Sequence, residues 1–296
     1  MAQRSTIVTG AGAGLGAAFA KAIAAGGSQV LVNNRRHPDR PFPAQTVVQE
    51  IVSAGGSATT SEHAVDAPDG PEAIMSAAID RFGGLDALVL NAGISGPAGK
   101  VGDGDTELRQ VMEINFFANA RLVDAALPHL RRSEAGRIVI VSSTGGLHGV
   151  KGRSAYASSK GAITAYGLSL ADELRRDGIM VNILTPYAQT KMTAQPDREP
   201  DPRLAPEGAA DICAWLASEA CDRTGEIWLG GGRWLRRVHI VETEGARIPD
   251  TLDGFDAFAD SQSGLDTARG FTGAEAAFAD FFKTLTAKSG APETTG

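Results

Sequence analysis

At 296 residues, with 43% hydrophobic and 21% charged side chains, the chain is long enough for one large domain and too apolar to be disordered over most of its length. Its formal charge of −7 argues against the broad basic field of a general nucleic-acid binder. No run of 18 apolar residues offers a membrane span, two cysteines cannot make a disulfide framework, and the opening residues show no signal-peptide pattern, so a cytoplasmic globular protein is expected.

The periodicity predicts short apolar strands alternating with amphipathic helices. A strand at 6–9 (TIVT) leads into a helix over 15–25, and a second strand at 30–33 (VLVN) is followed by a Pro/Arg-rich loop and a helix over 44–54. A polar strand at 58–64 and a helix over 71–82 precede the strand at 87–90 (ALVL). A long helix over 105–130, a strand at 137–141 (RIVIV) and a helix over 155–177 come next. The series closes with a strand at 180–184, a helix over 207–217 and a strand at 226–229. Such βαβ alternation predicts an α/β fold, a doubly wound parallel seven-stranded sheet of Rossmann type with a C-terminal extension. The expected boundaries are 1–235 for the dinucleotide-binding catalytic domain and 236–296 for a partly helical extension with a frayed end.

Three clusters carry chemistry. Thr9 to Gly16 (TGAGAGLG) lies where the first strand turns into the first helix, so its backbone amides and the helix N-terminus can cradle a pyrophosphate. Gly10, Gly14, Leu15 and Gly16 are its candidate contacts. The second strand ends in Asn33, Asn34, Arg35 and Arg36, where an acidic residue would select NAD; an arginine there matches a 2′-phosphate. Asn34 and Arg35 therefore point to NADP, with NAD as the other candidate. Tyr156 and Lys160 are four apart in a predicted helix and share a face, so the lysine can stabilise a phenolate. Ser143 follows the strand at 137–141 and is the candidate hydroxyl for a substrate oxygen, with Ser142 as its alternative.

With these motifs in order, the chain resembles the short-chain dehydrogenase/reductase family, in its shorter single-domain branch, over residues 4 to 232. T-G-x-x-x-G-x-G falls on Thr9, Gly10, Gly14 and Gly16, N-A-G on Asn91, Ala92 and Gly93, and S plus Y-x-x-x-K on Ser143, Tyr156 and Lys160. The resemblance implies Asn115 as the catalytic asparagine, anchoring a water that relays protons to Lys160. It implies Asp66 at the adenine amino group, Asn91 and Gly93 beside the cofactor, Lys160 also on the nicotinamide ribose, and Pro186 and Thr190 near the nicotinamide. Within the family the chain is most similar to the (3R)-hydroxyacyl-CoA dehydrogenase unit of peroxisomal multifunctional enzyme type 2. That likeness rests on the V-N-N after the second strand, the long 35–43 loop and the 230–234 run GGGRW. Two departures stand out: Tyr187 replaces the usual Gly after Pro186, and GGGRW replaces the usual D-G-G.

The expected activity is hydride transfer between a nicotinamide, NADP preferred, and a secondary alcohol or ketone, 3-hydroxyacyl substrates included. A hydroxysteroid-type or other ketone reductase without a thioester, and a catalytically silent NADP-binding module, are the rival readings. The family resemblance implies a homo-oligomer, dimer or tetramer, paired through the helices at 105–130 and 155–177. His148 and Lys151 fall where family members line the substrate cleft. Residues 193–206 read as a lid, and Arg233, Arg236 and Arg237 as a basic cluster beside Trp234. Cys213 and Cys221 read as inert thiols, and the five histidines lack metal-ligand spacing, so no metal is expected.

Overall fold

The computed structural model describes residues 3–99, 106–189, 199, 201–246, 248, 251, 255–262 and 264–288. Eight strands form one sheet: β1 (Ser5–Val8), β2 (Gln29–Asn33), β3 (Ser57–Ser61), β4 (Ala87–Leu90), β5 (Arg137–Val141), β6 (Met180–Pro186), β7 (Ile227–Gly231) and β8 (Trp234–Val238). Their order is β3-β2-β1-β4-β5-β6-β7-β8, and all pairings from β3 through β7 are parallel. Every residue of β1, β4 and β5 is buried, as strands covered on both faces must be. The direction of winding reverses between β1 and β4, which opens a crevice at the carboxyl ends of those strands.

Helices cover both faces. On one lie α1 (Gly14–Ala25), α2 (Pro43–Ser53) and α8 (Glu207–Ala217), with α1 packed on both of the others. Phe19, Ile23, Val47, Ile51, Cys213 and Leu216 fill that layer. On the other lie α3 (Gly70–Phe82), α4 (Thr106–Met112), α5 (Ala118–Leu130) and α7 (Ser154–Glu173), with the short α6 (Gly145–His148) against α7. Gly146 permits that contact, since a Cβ there would lie 2.5 Å from the Lys160 carbonyl carbon.

Three features differ from the sequence expectation. The sheet gains β8, joined to β7 through Gly232 and Arg233, both at positive φ (56° and 65°) as a two-residue type I′ hairpin requires. Its residues WLRRV are mostly exposed and have two arginines at their centre, so no apolar run announces the strand. The helix expected over 105–130 is interrupted by a π-helical turn at Glu113–Phe117, and α7 ends earlier, in a 3₁₀ turn at Leu174–Asp177.

The chain divides into two compact units, Met1–Arg237 and Val238–Gly296. The division falls two residues beyond the expected 235/236, within β8. The second unit holds α9 (Phe255–Ser261), α10 (Ala274–Lys288) and a bridge between Glu242 and Arg269, whose guanidinium also pairs with Asp280 at 3.1 Å.

At the amino-terminal edge of the sheet, buried charge is spent on the backbone. Arg4 donates to the Ala135 and Ala217 carbonyls, and Arg137 to those of Gly136, Ser218 and Glu219, all within 3.2 Å. The Asp86 carboxylate accepts from the Ser5 amide and the Ser133 hydroxyl.

Candidate active site

The turn after β1 is locked to the end of β4. The Thr9 hydroxyl oxygen accepts from the Asn91 and Ala92 amides, both at 3.0 Å, and the Asn91 side-chain amide donates to the Thr9 carbonyl at 2.8 Å. Gly10 and Gly14 sit at φ 62° and 56°, and a Cβ on Gly16 would run into the Gly10 carbonyl, so the helix approaches the turn only because these are glycines. No side chain caps the amino end of α1, whose free N–H groups and dipole favour an anion there. A cleft of about 150 Å³ opens in front of this turn, lined by Gly10, Asn34, Arg35, Asp66, Gly93 and Ile114 among others. The Asn34 side chain closes over Gly12, where a Cβ would stand 2.8 Å from its amide carbon. Glycine cradle, uncapped helix and cleft together fit a dinucleotide.

The end of β2 separates its two arginines. Arg36 pairs with Glu62 at 2.9 Å and lies over the Phe42 ring, 5.9 Å from its centroid. Arg35 lines the cleft, is exposed, and meets no carboxylate among the described residues. Asn33 is buried and bonds Ser61 of β3 at 3.3 Å and the His63 carbonyl just beyond it at 2.9 Å.

Across the crevice, α7 brings Tyr156 and Lys160 to the carboxyl end of β5. The buried Lys160 ammonium donates to the Val141 carbonyl at 2.7 Å and lies 6.0 Å from the centre of the Tyr156 ring. Burial lowers its pKa to about 8, which leaves it mostly charged at neutral pH. Asn115 rises from the π turn: its Oδ1 accepts from the Ile94 amide at 2.7 Å, and its Nδ2 donates to the Ile94 carbonyl and the Ser159 hydroxyl, both at 2.9 Å. Asn119 props this turn, its amide donating to the carbonyls of Ile114 and Asn115. Gly93 lies where these groups meet; a Cβ there would be 3.0 Å from Asn115 Oδ1 and 3.6 Å from Lys160 Nζ.

The two serines after β5 part company. Ser142 is buried, donating to the Lys160 carbonyl at 2.9 Å and sharing a 2.7 Å hydrogen bond with Thr164. Ser143 is half-buried, and its Oγ accepts from the Gly145 amide at 3.1 Å. Gly145 lies against that oxygen and the Tyr156 ring alike. The structure thus gathers Ser143, Tyr156, Lys160 and Asn115 beside the glycine turn.

Other residues singled out from the sequence lie at the rim or beyond it. Pro186 ends β6, and the following Tyr187 is 49% exposed with its amide donating to Gly230 at 2.7 Å. Thr190 lies outside the described residues, as do 193–198 and 200. The described ends of that segment are tied by Gln189, whose amide donates to the Leu204 carbonyl and whose side-chain oxygen accepts from the Asp201 amide. His148 and Lys151 are exposed. Cys213 and Cys221 are buried and unpaired, and burial pushes both thiols up. Among the described residues no cluster of three His, Cys, Asp or Glu could hold a metal, and no helix is long and apolar enough to cross a membrane.

Sequence reasoning overlooked Ser159, Thr164 and Asn119. Ser159 carries a signal, being a hydroxyl one helical turn beyond Tyr156 and next to Lys160. Asn119 carries a weaker one, an amide four residues after Asn115.

The family model described as short chain dehydrogenase matches residues 4–201. A short-chain type dehydrogenase/reductase of Mycobacterium tuberculosis is 32% identical over 255 residues, covering 83% of this chain and 88% of the relative. The peroxisomal multifunctional enzyme type 2 of Drosophila melanogaster is 31% identical over 257 residues, 84% of this chain; the match spans only 42% of that longer protein. Among solved structures, a short chain dehydrogenase from Mycobacterium avium superposes with a TM-score of 0.76 at 32% identity, over 90% of this chain and 96% of its own.

Proposed function

The chain belongs to the short-chain dehydrogenase/reductase family, an oxidoreductase of CH–OH groups, and from that premise we propose its cofactor, its substrate class and its catalytic residues. It moves a hydride between NADP(H), in preference to NAD(H), and a secondary alcohol or ketone, with 3-hydroxyacyl substrates the leading class. The carrying observation is the convergence of Ser143, Tyr156, Lys160 and Asn115 at the sheet edge that also bears the glycine cradle.

A bound nicotinamide supplies or accepts the hydride. Tyr156 gives its hydroxyl proton to the carbonyl oxygen in reduction and takes it back in oxidation. The Lys160 ammonium lowers the cost of the phenolate, and its anchor on Val141 keeps it under the ring. Ser143 accepts from the Gly145 amide, which leaves its own hydrogen free to hold the substrate oxygen. Asn115 has spent its side chain on Ile94 and Ser159, so it acts through the frame it fixes and through a water leading to Lys160. Gly10, Gly14, Leu15 and Gly16 receive the pyrophosphate, Asp66 the adenine, and Asn91, Gly93, Pro186 and Thr190 the nicotinamide half.

Arg35 supports NADP: no carboxylate ends β2, and its guanidinium borders the cleft without a carboxylate partner among the described residues. The multifunctional-enzyme relatives support a 3-hydroxyacyl substrate. A homo-oligomer joined through α5 and α7 fits the exposed Phe117 beside Phe116 and Tyr166. Two buried free thiols suit the reducing cytoplasm.

The test is oxidation of NADPH by the purified protein with acetoacetyl-CoA, beside NADH and the Tyr156→Phe variant. Turnover with NADPH that falls at least a thousandfold in Tyr156→Phe, with NADPH still bound, is expected. Undiminished turnover in the variant would overturn the mechanism, and no turnover of the thioester would move the substrate to free ketones and steroids.

A further inference from the structure

We propose that Arg153 is an anion anchor, and that the physiological substrate carries a carboxylate or similar anionic group beyond its reacting carbonyl, on the side where α7 begins. The inference deepens, and rests on, the oxidoreductase reading of the same cleft. Arg153 immediately precedes α7 as its N-cap residue, its carbonyl accepting from the Ala157 amide at 2.9 Å, and Tyr156 and Lys160, spaced i, i+4, share one face of that helix. Tyr156 and Lys160 use this face for the reacting centre, so Arg153 stands one turn, about 5 Å, farther along the same wall.

Its surroundings join that wall to the opposite one. The Val150 side chain packs on Gly145, against which Ser143 Oγ and the Tyr156 ring also lie. The Gly152 carbonyl accepts from the Gly99 amide at 3.0 Å, and the Arg153 guanidinium reaches the Gly96 carbonyl. Gly96 is two residues from Ile94, which lines the dinucleotide cleft and is held by Asn115. The arginine therefore spans the gap between the Tyr156 wall and the strand-end loop, at the open side of the site.

Among the described arginines that are not exposed, Arg153 is the least engaged. Arg36, Arg121, Arg131, Arg223 and Arg237 each pair with a carboxylate. Arg4 and Arg137 saturate backbone carbonyls. Arg153 is half-buried, yet among the described residues its side chain makes one hydrogen bond, a long 3.4 Å contact to the Gly96 carbonyl, and no carboxylate reaches it there. A guanidinium has five donors in a planar fork that fits a carboxylate or phosphate bidentately. Lys151, exposed two residues earlier, adds a second positive charge to the same loop without an ion pair among the described residues.

The experiment is calorimetric titration of keto acids of graded length, 4-oxopentanoate to 7-oxooctanoate, and of their methyl esters, into the protein saturated with NADP⁺, where ketone and oxidised cofactor coexist without reaction. At the best length the acid should bind about ten- to a hundredfold more tightly than its ester, as one charge-assisted pair predicts. Arg153→Gln should abolish that preference while ester binding stays unchanged, and Arg153→Lys should restore part of it. Equal binding of acid and ester, an equal loss of both in Arg153→Gln, or no acid binding at any length would overturn the proposal. Turnover of the same compounds with NADPH, in wild type and Tyr156→Phe, reports separately on the oxidoreductase reading, so the two ideas fail independently.

Discussion

The two edges of the parallel sheet both bury polar and charged side chains, but they dispose of them in opposite ways. At the amino-terminal edge Arg4, Arg137 and Asp86 are engaged by carbonyls, an amide and a hydroxyl of the protein itself. At the carboxyl-terminal edge Lys160 and Asn115 are fixed in place, while the Ser143 proton, the Tyr156 hydroxyl and the Arg35 and Arg153 guanidinium groups are left with donors to give. Buried polarity must be paired, and in these two regions Arg4 Nε and Asn119 Oδ1 are the exceptions. The difference is who supplies the partner: at one edge the chain, at the other a ligand.

This contrast can be broken by single substitutions. After Tyr156→Phe, the largest effect is expected from Ser143→Ala, which should cut kcat about a hundred- to a thousandfold, as loss of one donor to a reacting oxygen does, and barely shift Tm. If stability fell and kcat did not, Ser143 would belong with the scaffold. Arg137→Leu should do the reverse. It strands three carbonyls and should lower the unfolding free energy by on the order of 3 kcal/mol in urea, with kcat per folded molecule unchanged.

Lys160 sharpens the comparison because its burial costs stability in return for a placed charge. Its pKa is near 8 in the folded chain against 10.5 for the free group, so the unfolded state holds the proton more strongly. The penalty is present in full below about pH 8 and fades as pH rises towards 10.5, so unfolding free energy should climb across that window. Lys160→Met should lack this climb in a pH series of urea unfolding; an unchanged slope would mean the lysine is not desolvated. The smallest effect is expected at Arg35, where replacement by Ala should weaken NADPH binding about tenfold and leave NADH binding unaltered. Equal losses for both cofactors would remove the basis for NADP preference.

The strands buried on both faces could be read directly, and β4 and β5 begin and end where their apolar runs do. The helices around them follow from periodicity to within a residue or two at most ends. Legibility fails where geometry has no compositional trace. β8 is made of exposed residues and depends on Arg233 adopting a positive φ that nothing in GGGRW demands of an arginine. Ser142 and Ser143 are adjacent and chemically identical, so only the twist at the end of β5 decides which hydroxyl grips α7 and which faces Tyr156. Arg153 is silent in the sequence for the same reason: its residue type is ordinary, and its idleness shows only in the folded chain, beside Arg4, Arg121 and Arg137.

The π turn at Glu113–Phe117 has a last consequence, one of chain length. A π turn uses one more residue than the α-helical turn it replaces. Deleting a residue there would let α4 and α5 fuse into one regular helix. Everything beyond the deletion would then turn by about 100° and slide about 1.5 Å. Leu122, Val123, Ala126 and Leu130, now buried beneath the sheet, would swing out of register with it. The count of residues between 106 and 130 is thus itself part of the inherited information, and a gap or insertion in this stretch would be tolerated far less readily than a change of any exposed side chain in it.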